Sequence, residues 1–225
     1  MRILHCSDLH ASTDRLAWVS RECRRFDLVA ITGDVLDLNA HRPIGDQIDR
    51  VLRQLRTFST PTCLCSGNHD VLEGSGSRLK NAFWLKEARR RNVWVDDDIF
   101  TMGGRVFRCI PWGGLLPEAG LEEVWLIHSP PDEAPTGISR GGAGFGSFEF
   151  GELCRAGKGP KLALSGHVHD PQSWWARVGR TWSLNPGCSE GAPQPNRIEI
   201  DLTRRVALRE RASGETDFLR LKPST

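Results

Sequence analysis

Two β-sheets flanked by helices, an α/β fold, are what this sequence predicts, and three observations carry the prediction. Short apolar runs recur along the chain and stop at polar residues, with glycine or proline close by. Stripes of helical spacing separate the first of these runs. From about residue 93 onward the stripes give way to short strand-like segments. At 225 residues, one compact domain spanning 1–225 is expected.

The first run, Ile3-Leu4-His5-Cys6, leads into Ser7-Asp8-Leu9-His10 and reads as a strand buried on both faces. Leu16, Val19, Cys23 and Phe26 follow at helical spacing behind a Thr13 cap. Leu28-Val29-Ala30-Ile31 runs into Thr32-Gly33-Asp34 as a second strand. Ile44, Ile48, Val51, Leu52, Leu55 and Phe58 make the cleanest helical stripe. A third strand, residues 62–65, leads into Ser66-Gly67-Asn68-His69-Asp70. A third helix is expected over residues 78–91, with Leu79, Ala82, Phe83 and Leu85 as its stripe. This alternation predicts parallel pairing in the first half.

Residues 93–95, 99–102 and 105–110 read as shorter strands, the last two joined by a hairpin at Gly103-Gly104. Residues 124–127 end at His128, and residues 162–164 run into Ser165-Gly166-His167-Val168-His169. No helix is expected behind glycines 141, 142, 144 and 146, which read as a flexible stretch and not as a phosphate cradle. Residues 174–178, 180–184, 198–202 and 206–209 suggest an antiparallel meander that continues or faces the first sheet. The last four residues are expected to fray.

Composition excludes several classes. Hydrophobic residues at 39% and charged residues at 26% suit a folded, water-soluble chain. Lys+Arg 30 against Asp+Glu 28 leaves +2, so no basic field recruits nucleic acid or an anionic membrane. No run approaches the ~20 apolar residues of a membrane span, and residues 1–8 carry no secretory h-region. The seven cysteines are scattered without a C-x-x-C pair, which reads as free thiols packed as small hydrophobes in a reducing cytoplasm.

In open α/β sheets, functional groups gather beyond the carboxyl ends of the strands. Five segments here deliver Asp, His or Asn at that place: Asp8 with His10, Asp34, Asn68 with His69, His128, and His167 with His169. Asp8 and His10, two residues apart, point the same way if strand geometry persists. Oxygen and imidazole donors without thiolate suit Mn, Fe, Zn and similar dications. The donors are too many for one tetrahedral site and suit two ions sharing a carboxylate. Glycines before Asp34, Asn68 and His167 leave room for metals and substrate.

These residues resemble the calcineurin-like metallophosphoesterases, whose series is D-x-H, G-D, G-N-H-D/E, a single His, and G-H-x-H. Here the series is Asp8-Leu9-His10, Gly33-Asp34, Gly67-Asn68-His69-Asp70, His128 and Gly166-His167-Val168-His169. The resemblance implies a four-layer αββα sandwich of two mixed sheets. It also implies one divalent ion on Asp8, His10, Asp34 and His169, and a second on Asp34, Asn68, His128 and His167, with Asp34 bridging. Mn is favoured, with Fe, Zn, Ni or Co as alternatives. A water or hydroxide between the ions is then the nucleophile. His69 is implied as the group that stabilises the transition state or protonates the leaving oxygen, with Asp70 orienting it.

His128-Ser129-Pro130-Pro131 and Asn185-Pro186-Gly187 look like the compact branch related to bacterial cyclic-nucleotide phosphodiesterases. The implied substrate is a small phosphoester, nucleotide-like, with diesters favoured over monoesters. No stable nucleic-acid complex is expected. Specificity falls to the loops 72–78, 112–120 and 129–147. Within them Arg140 is a candidate for a distal phosphate, and Trp112 either stacks on a base or packs. His5 reads as a core histidine, His41 as a surface loop residue, and Ser7 and Ser66 as hydrogen-bonders behind the ligands. Some members of the fold lose ligands and serve as protein-binding scaffolds. Here every ligand position is filled, and a hydrolase is the reading.

Overall fold

The computed structural model describes residues 1–73 and 80–222. Its first sheet is built on β1 (Arg2–Cys6), β2 (Leu28–Thr32) and β3 (Thr62–Cys65), which pair in parallel as predicted. Helices α1 (Thr13–Glu22) and α2 (Ile44–Leu55) make the crossovers between them. The α1 cap is Ser12, whose side chain accepts from the Arg15 N–H. Thr13, expected in that role, is the first helical residue.

Beyond β3, β4 (Leu72–Glu73) and β5 (Lys80–Asn81) form a small separate ladder. The helix expected over 78–91 is one 3₁₀ segment, Phe83–Ala88, with Arg78 and Leu79 outside the described residues. Threefold geometry rotates the stripe, so Trp84, Leu85 and Ala88 are buried while Phe83 is 64% exposed. Within loop 72–78, residues 74–78 likewise lie outside the described set, as do residues 223–225 at the terminus.

β6 (Val93–Trp94) completes one edge of the first sheet. β7 (Ile99–Met102) and β8 (Arg105–Cys109) form the expected hairpin, Met102 pairing with Arg105 across the two glycines. β8, β9 (Val124–Leu126), β10 (Leu162–Leu164) and β12 (Thr181–Leu184) run parallel in the second sheet. Antiparallel edges come from β7 and β11 (Trp175–Val178).

The late meander divides between the sheets. β11 and β12 join the second, while β13 (Arg197–Asp201), β14 (Val206–Glu210) and β15 (Thr216–Arg220) extend the first beside β1. β15 carries a strand that its polar sequence did not announce. A third helix, α3 (Phe148–Arg155), follows the glycine stretch directly, capped by Ser147. It overturns the expectation that no helix stands there. Phe150 and Cys154 are its only fully buried large side chains, and Gly151 interrupts the stripe between them.

The packing explains why the strand runs are continuously apolar. Leu4, Cys6, Val29, Ile31 and Leu64 face α1 and α2, while their alternates Ile3, Leu28, Ala30, Cys63 and Cys65 face the second sheet. On the far face of that sheet, Trp125, Ile127 and Ala163 pack on α3. The result is the four-layer αββα arrangement of two mixed sheets, with the carboxyl ends of the parallel strands at one rim.

Candidate metal centre

The donors assemble at that rim through backbone that has left the strand. Asp8 has φ 53° and His10 φ 49°, so the D-x-H segment turns left-handed and the extended geometry expected for it ends at Cys6. Asp34 (φ 49°) and His167 (φ 68°) share that conformation. A left-handed non-glycine residue costs roughly 1–2 kcal/mol, and such strain persists where surrounding contacts over-determine it. Those contacts are Asp8 N–H to Gly33 O at 3.2 Å, His10 N–H to Asp34 O at 2.9 Å and Ala11 N–H to Val35 O at 2.7 Å.

The glycines are needed for close approach. A Cβ on Gly67 would collide with Asp34 Oδ1 and the His128 ring, and one on Gly166 with Ser7 Oγ and Asp8 Oδ2.

Donor atoms of Asp34, His128 and His167 lie within 4.8 Å of one another, as do those of His10, Asp34 and His69. Asp34 belongs to both groups. His169 Nε2 sits 3.2 Å from His10 Nε2 and 3.4 Å from Asp8 Oδ1. His128 donates from Nδ1 to Thr32 O at 2.7 Å, which turns Nε2 toward Asp34 Oδ2, 3.2 Å away. Apart from those close approaches, Asp8 Oδ1, Asn68 Oδ1 and His128 Nε2 are buried with no hydrogen bond of good geometry among the described residues. Buried, unpartnered oxygen and imidazole donors converging around a shared carboxylate fit divalent cations.

The local field points the same way. Burial disfavours a charged His128, yet Asp34 and Asp8 outweigh it and hold the imidazole up at about 9. Burial would raise Asp8 and Asp34, but His169 and His128 hold Asp8 below the ordinary carboxylate range and His128 does the same for Asp34. Burial and repulsion from His128 push His167 down to about 4, leaving a neutral ring with a lone pair to share. The two carboxylates call for positive charge in their midst.

His69 contributes its backbone N–H to Asp34 Oδ1 at 2.8 Å, and its Nδ1 accepts from Leu38 N–H at 3.1 Å. The carboxylate beside that ring is Asp37, 3.7 Å from Nδ1. Asp70, expected to orient His69, is committed elsewhere: its oxygens accept from the backbone N–H groups of Val35, Leu36 and Gly67. It binds two ligand loops together, and burial followed by the charge of Asp34 lifts its carboxyl to about 7. Adjacency in sequence suggested the pairing with His69. The turn at residues 67–70 points the two side chains to different neighbours.

Arg140 also departs from expectation. It pairs with Asp170 at 3.2 Å on the surface and lines neither cleft beside the cluster. Trp112 does line one, its ring 5.5 Å from that of His128 and 5.3 Å from that of His167. Ser66 Oγ anchors it by accepting the Trp112 N–H at 2.9 Å, and Ser7 Oγ donates to Thr32 O at 2.6 Å. His5 is fully buried on Thr32 Oγ1, and His41 is exposed.

Three contributors carried no signal in the sequence. Glu190 reaches His169 Nδ1 at 3.1 Å. Arg15, buried on α1, donates to Asp8 O, Ser189 O and Ala192 O, tying the β1 end to the 188–192 loop. Cys188, read only as a packing thiol, has its Sγ within 4.8 Å of His10 and His169 donor atoms and accepts from Arg15 at 3.3 Å. Burial raises that thiol to about 11. The other six cysteines are buried and unpaired, as expected.

Comparison with known proteins agrees with this geometry. No curated protein sequence matches the chain. Among solved structures, the chain is similar to Yfce, a phosphoesterase from E. coli, at 12% identity and TM-score 0.51, covering 99% of this chain and 100% of that one. It is also similar to the purple acid phosphatase PPD1 of yellow lupin, at 13% identity and TM-score 0.58, covering 96% of this chain and 52% of that one. At such identities the likeness speaks for the fold. The profile of the calcineurin-like phosphoesterases matches residues 1–171, the stretch that holds Asp8, His10, Asp34, Asn68, His69, His128, His167 and His169, and the chain belongs to that family.

Proposed function

We propose that the chain is a dinuclear, metal-dependent phosphoesterase acting on small, nucleotide-like phosphodiesters in preference to monoesters. Asp8, His10, Asp34 and His169 would hold one ion, and Asp34, Asn68, His128 and His167 the other. The observation that carries this reading is the membership of Asp34 in donor groups on both sides of the cluster. When bound, two dications with Mn favoured would supply positive charge for the phosphate and acidify the attacking water. The accepted Leu38 N–H keeps the His69 Nδ1 lone pair occupied, so the ring proton sits on Nε2. That proton is the one to pass to the leaving oxygen.

Support for a diester comes from the shape of the rim. A cleft of about 450 Å³ opens beside His10, His69 and His169, and another of about 730 Å³ beside His128 and His167. Each ester substituent thereby has a place of its own. The inter-sheet core that β13–β15 share with β1, β9 and β10 supports treating 1–225 as one domain. Seven unpaired thiols support a reducing, cytoplasmic setting.

The test is metal quantitation after loading with Mn, Fe, Zn, Ni or Co, alongside assays on bis(p-nitrophenyl) phosphate and p-nitrophenyl phosphate. Two ions per chain and faster diester turnover are expected. Two ions with no turnover across a wider phosphoester panel would favour a protein-binding scaffold instead.

A further inference from the structure

The two clefts differ in chemistry, and the difference orders a substrate between them. The larger is walled by Ile110, Trp112, Leu115, Leu116 and Phe145, and among the described residues Glu149 is the only Asp, Glu, Lys or Arg on its lining. Trp112 stands against both His128 and His167, and the Phe145 ring meets His167 edge-on at 6.3 Å. Backbone bonds fix both walls: Trp112 N–H to Ser66 Oγ at 2.9 Å and Phe145 N–H to Gly137 O at 2.8 Å. The smaller cleft, which His10, His69 and His169 line, also presents Asp14, Asp37 beside His69 and Glu190 beside His169. Among the described residues its one Lys or Arg is Arg15, which is 4% exposed and already donates to three carbonyls and the Cys188 sulfur.

From this contrast we infer that the substrate is a mixed phosphodiester whose aromatic substituent lies against Trp112 and whose uncharged or cationic alcohol lies in the acidic cleft beside His69. This rests on the phosphodiesterase reading above and deepens it. Hydrolysis then has one direction. Water's oxygen bonds to phosphorus, the bond from phosphorus to the alcohol on the His69 side breaks, and that oxygen takes the His69 Nε2 proton. The aromatic group leaves later, still esterified as a monophosphate, while His69 regains the proton released by the attacking water. Among the described residues, Glu149 faces one cleft, three carboxylates face the other, and no uncommitted Lys or Arg lines either, which disfavours a second phosphate on either side.

The experiment compares phenyl p-nitrophenyl phosphate with methyl p-nitrophenyl phosphate, which share a leaving group and differ only in the substituent retained. In parallel, calorimetry of the metal-loaded protein compares phenylphosphonate with methylphosphonate. Stacking on one aromatic side chain predicts a phenyl preference of about tenfold or more in both kcat/KM and Kd. Trp112→Ala should bring both ratios to within about threefold of one, and Trp112→Phe should restore most of the preference. The ratios do not depend on the fraction of active sites. Phe145→Ser, on a wall farther from the imidazoles, should lower the ratios as well if Trp112→Ala sheds metal. Ratios near one in the wild type, or unchanged in these variants, overturn the subsite. Phosphonate selectivity without hydrolysis of either ester would keep the subsite and sink the phosphodiesterase reading, whereas equal hydrolysis of both esters with equal phosphonate binding would do the reverse.

Discussion

The loops after β1, β2 and β10 and the β13–β15 meander follow opposite rules of construction. Those loops hold Asp8, His10, Asp34 and His167 in left-handed backbone, and at the same rim Asp8 Oδ1 and, after β9, His128 Nε2 are buried without hydrogen bonds among the described residues. The meander pairs its charges directly across strands, Arg197 facing Glu210 and Arg209 facing Asp217 in register and in ion-pair contact. Its one left-handed non-glycine residue, Arg205, lies in a turn. At the rim, left-handed backbone coincides with unpartnered metal-type donors, whereas the meander, although Arg197 Nε and Nη1 and Arg211 Nε lack hydrogen bonds among the described residues, ties its charges into ion pairs. The contrast predicts that mutations separate: rim substitutions remove activity and spare stability, and meander substitutions do the reverse.

The largest effect is expected at the shared carboxylate. Asp34→Ala should lower kcat by more than about 10⁴-fold and deplete bound metal, since it removes a donor from both groups. Its melting temperature without added metal should fall little, because removing a buried charge that Asp8 repels offsets the lost His69 N–H and His128 contacts. A large drop in that temperature would erase the distinction between rim and scaffold. Next comes His69→Ala, expected to lower kcat roughly 10²–10⁴-fold while metal content stays intact. Because His69 donor atoms also fall within 4.8 Å of those of His10 and Asp34, equal loss of metal and activity would make it a ligand.

On the other side of the comparison, Arg209→Ala should cost about 1 kcal/mol, or about 2–4 °C in melting temperature, with kcat unchanged. It breaks the Asp217 pair and the contact 5.8 Å over the Trp174 ring. The smallest effect is a pH slope. Burial holds the Asp96 carboxyl up at about 6, against an ordinary 3.8, so the folded chain binds this proton more tightly than the unfolded one. Stability is therefore greatest below the ordinary value, declines as pH rises through the interval to about 6, and stays lower above it. Asp96→Asn keeps an acceptor for the Ser66 N–H and removes the charge, so thermal melts across that interval should flatten. An unchanged slope would place the titration on another group.

The parallel strands were legible because each is sealed on both faces, which makes its run continuously apolar whatever the neighbours are. The donor series was legible because each run ends where its donor begins. Other features were silent for physical reasons. In α3, Phe150 and Cys154 supply too few apolar positions for a stripe, with Gly151 between them. The 83–88 segment packs by 3₁₀ geometry, and its burial pattern follows a period of three.

Residue identity alone thus determined which side chains could serve as donors, since oxygen and imidazole chemistry belongs to each residue wherever it lies. It also pointed to free cysteines, because they are scattered without a C-x-x-C pair or a regular paired spacing. Tertiary structure decided what adjacency misled: His69 is flanked by Leu38 and Asp37 while Asp70 braces the backbone, and Cys188 stands beside His10 from 178 positions away. It also decided the contrast between the aromatic and acidic clefts, whose walls come from segments far apart in the chain. Such contacts depend on where the sheets and loops finally meet, and no local window of sequence contains that information.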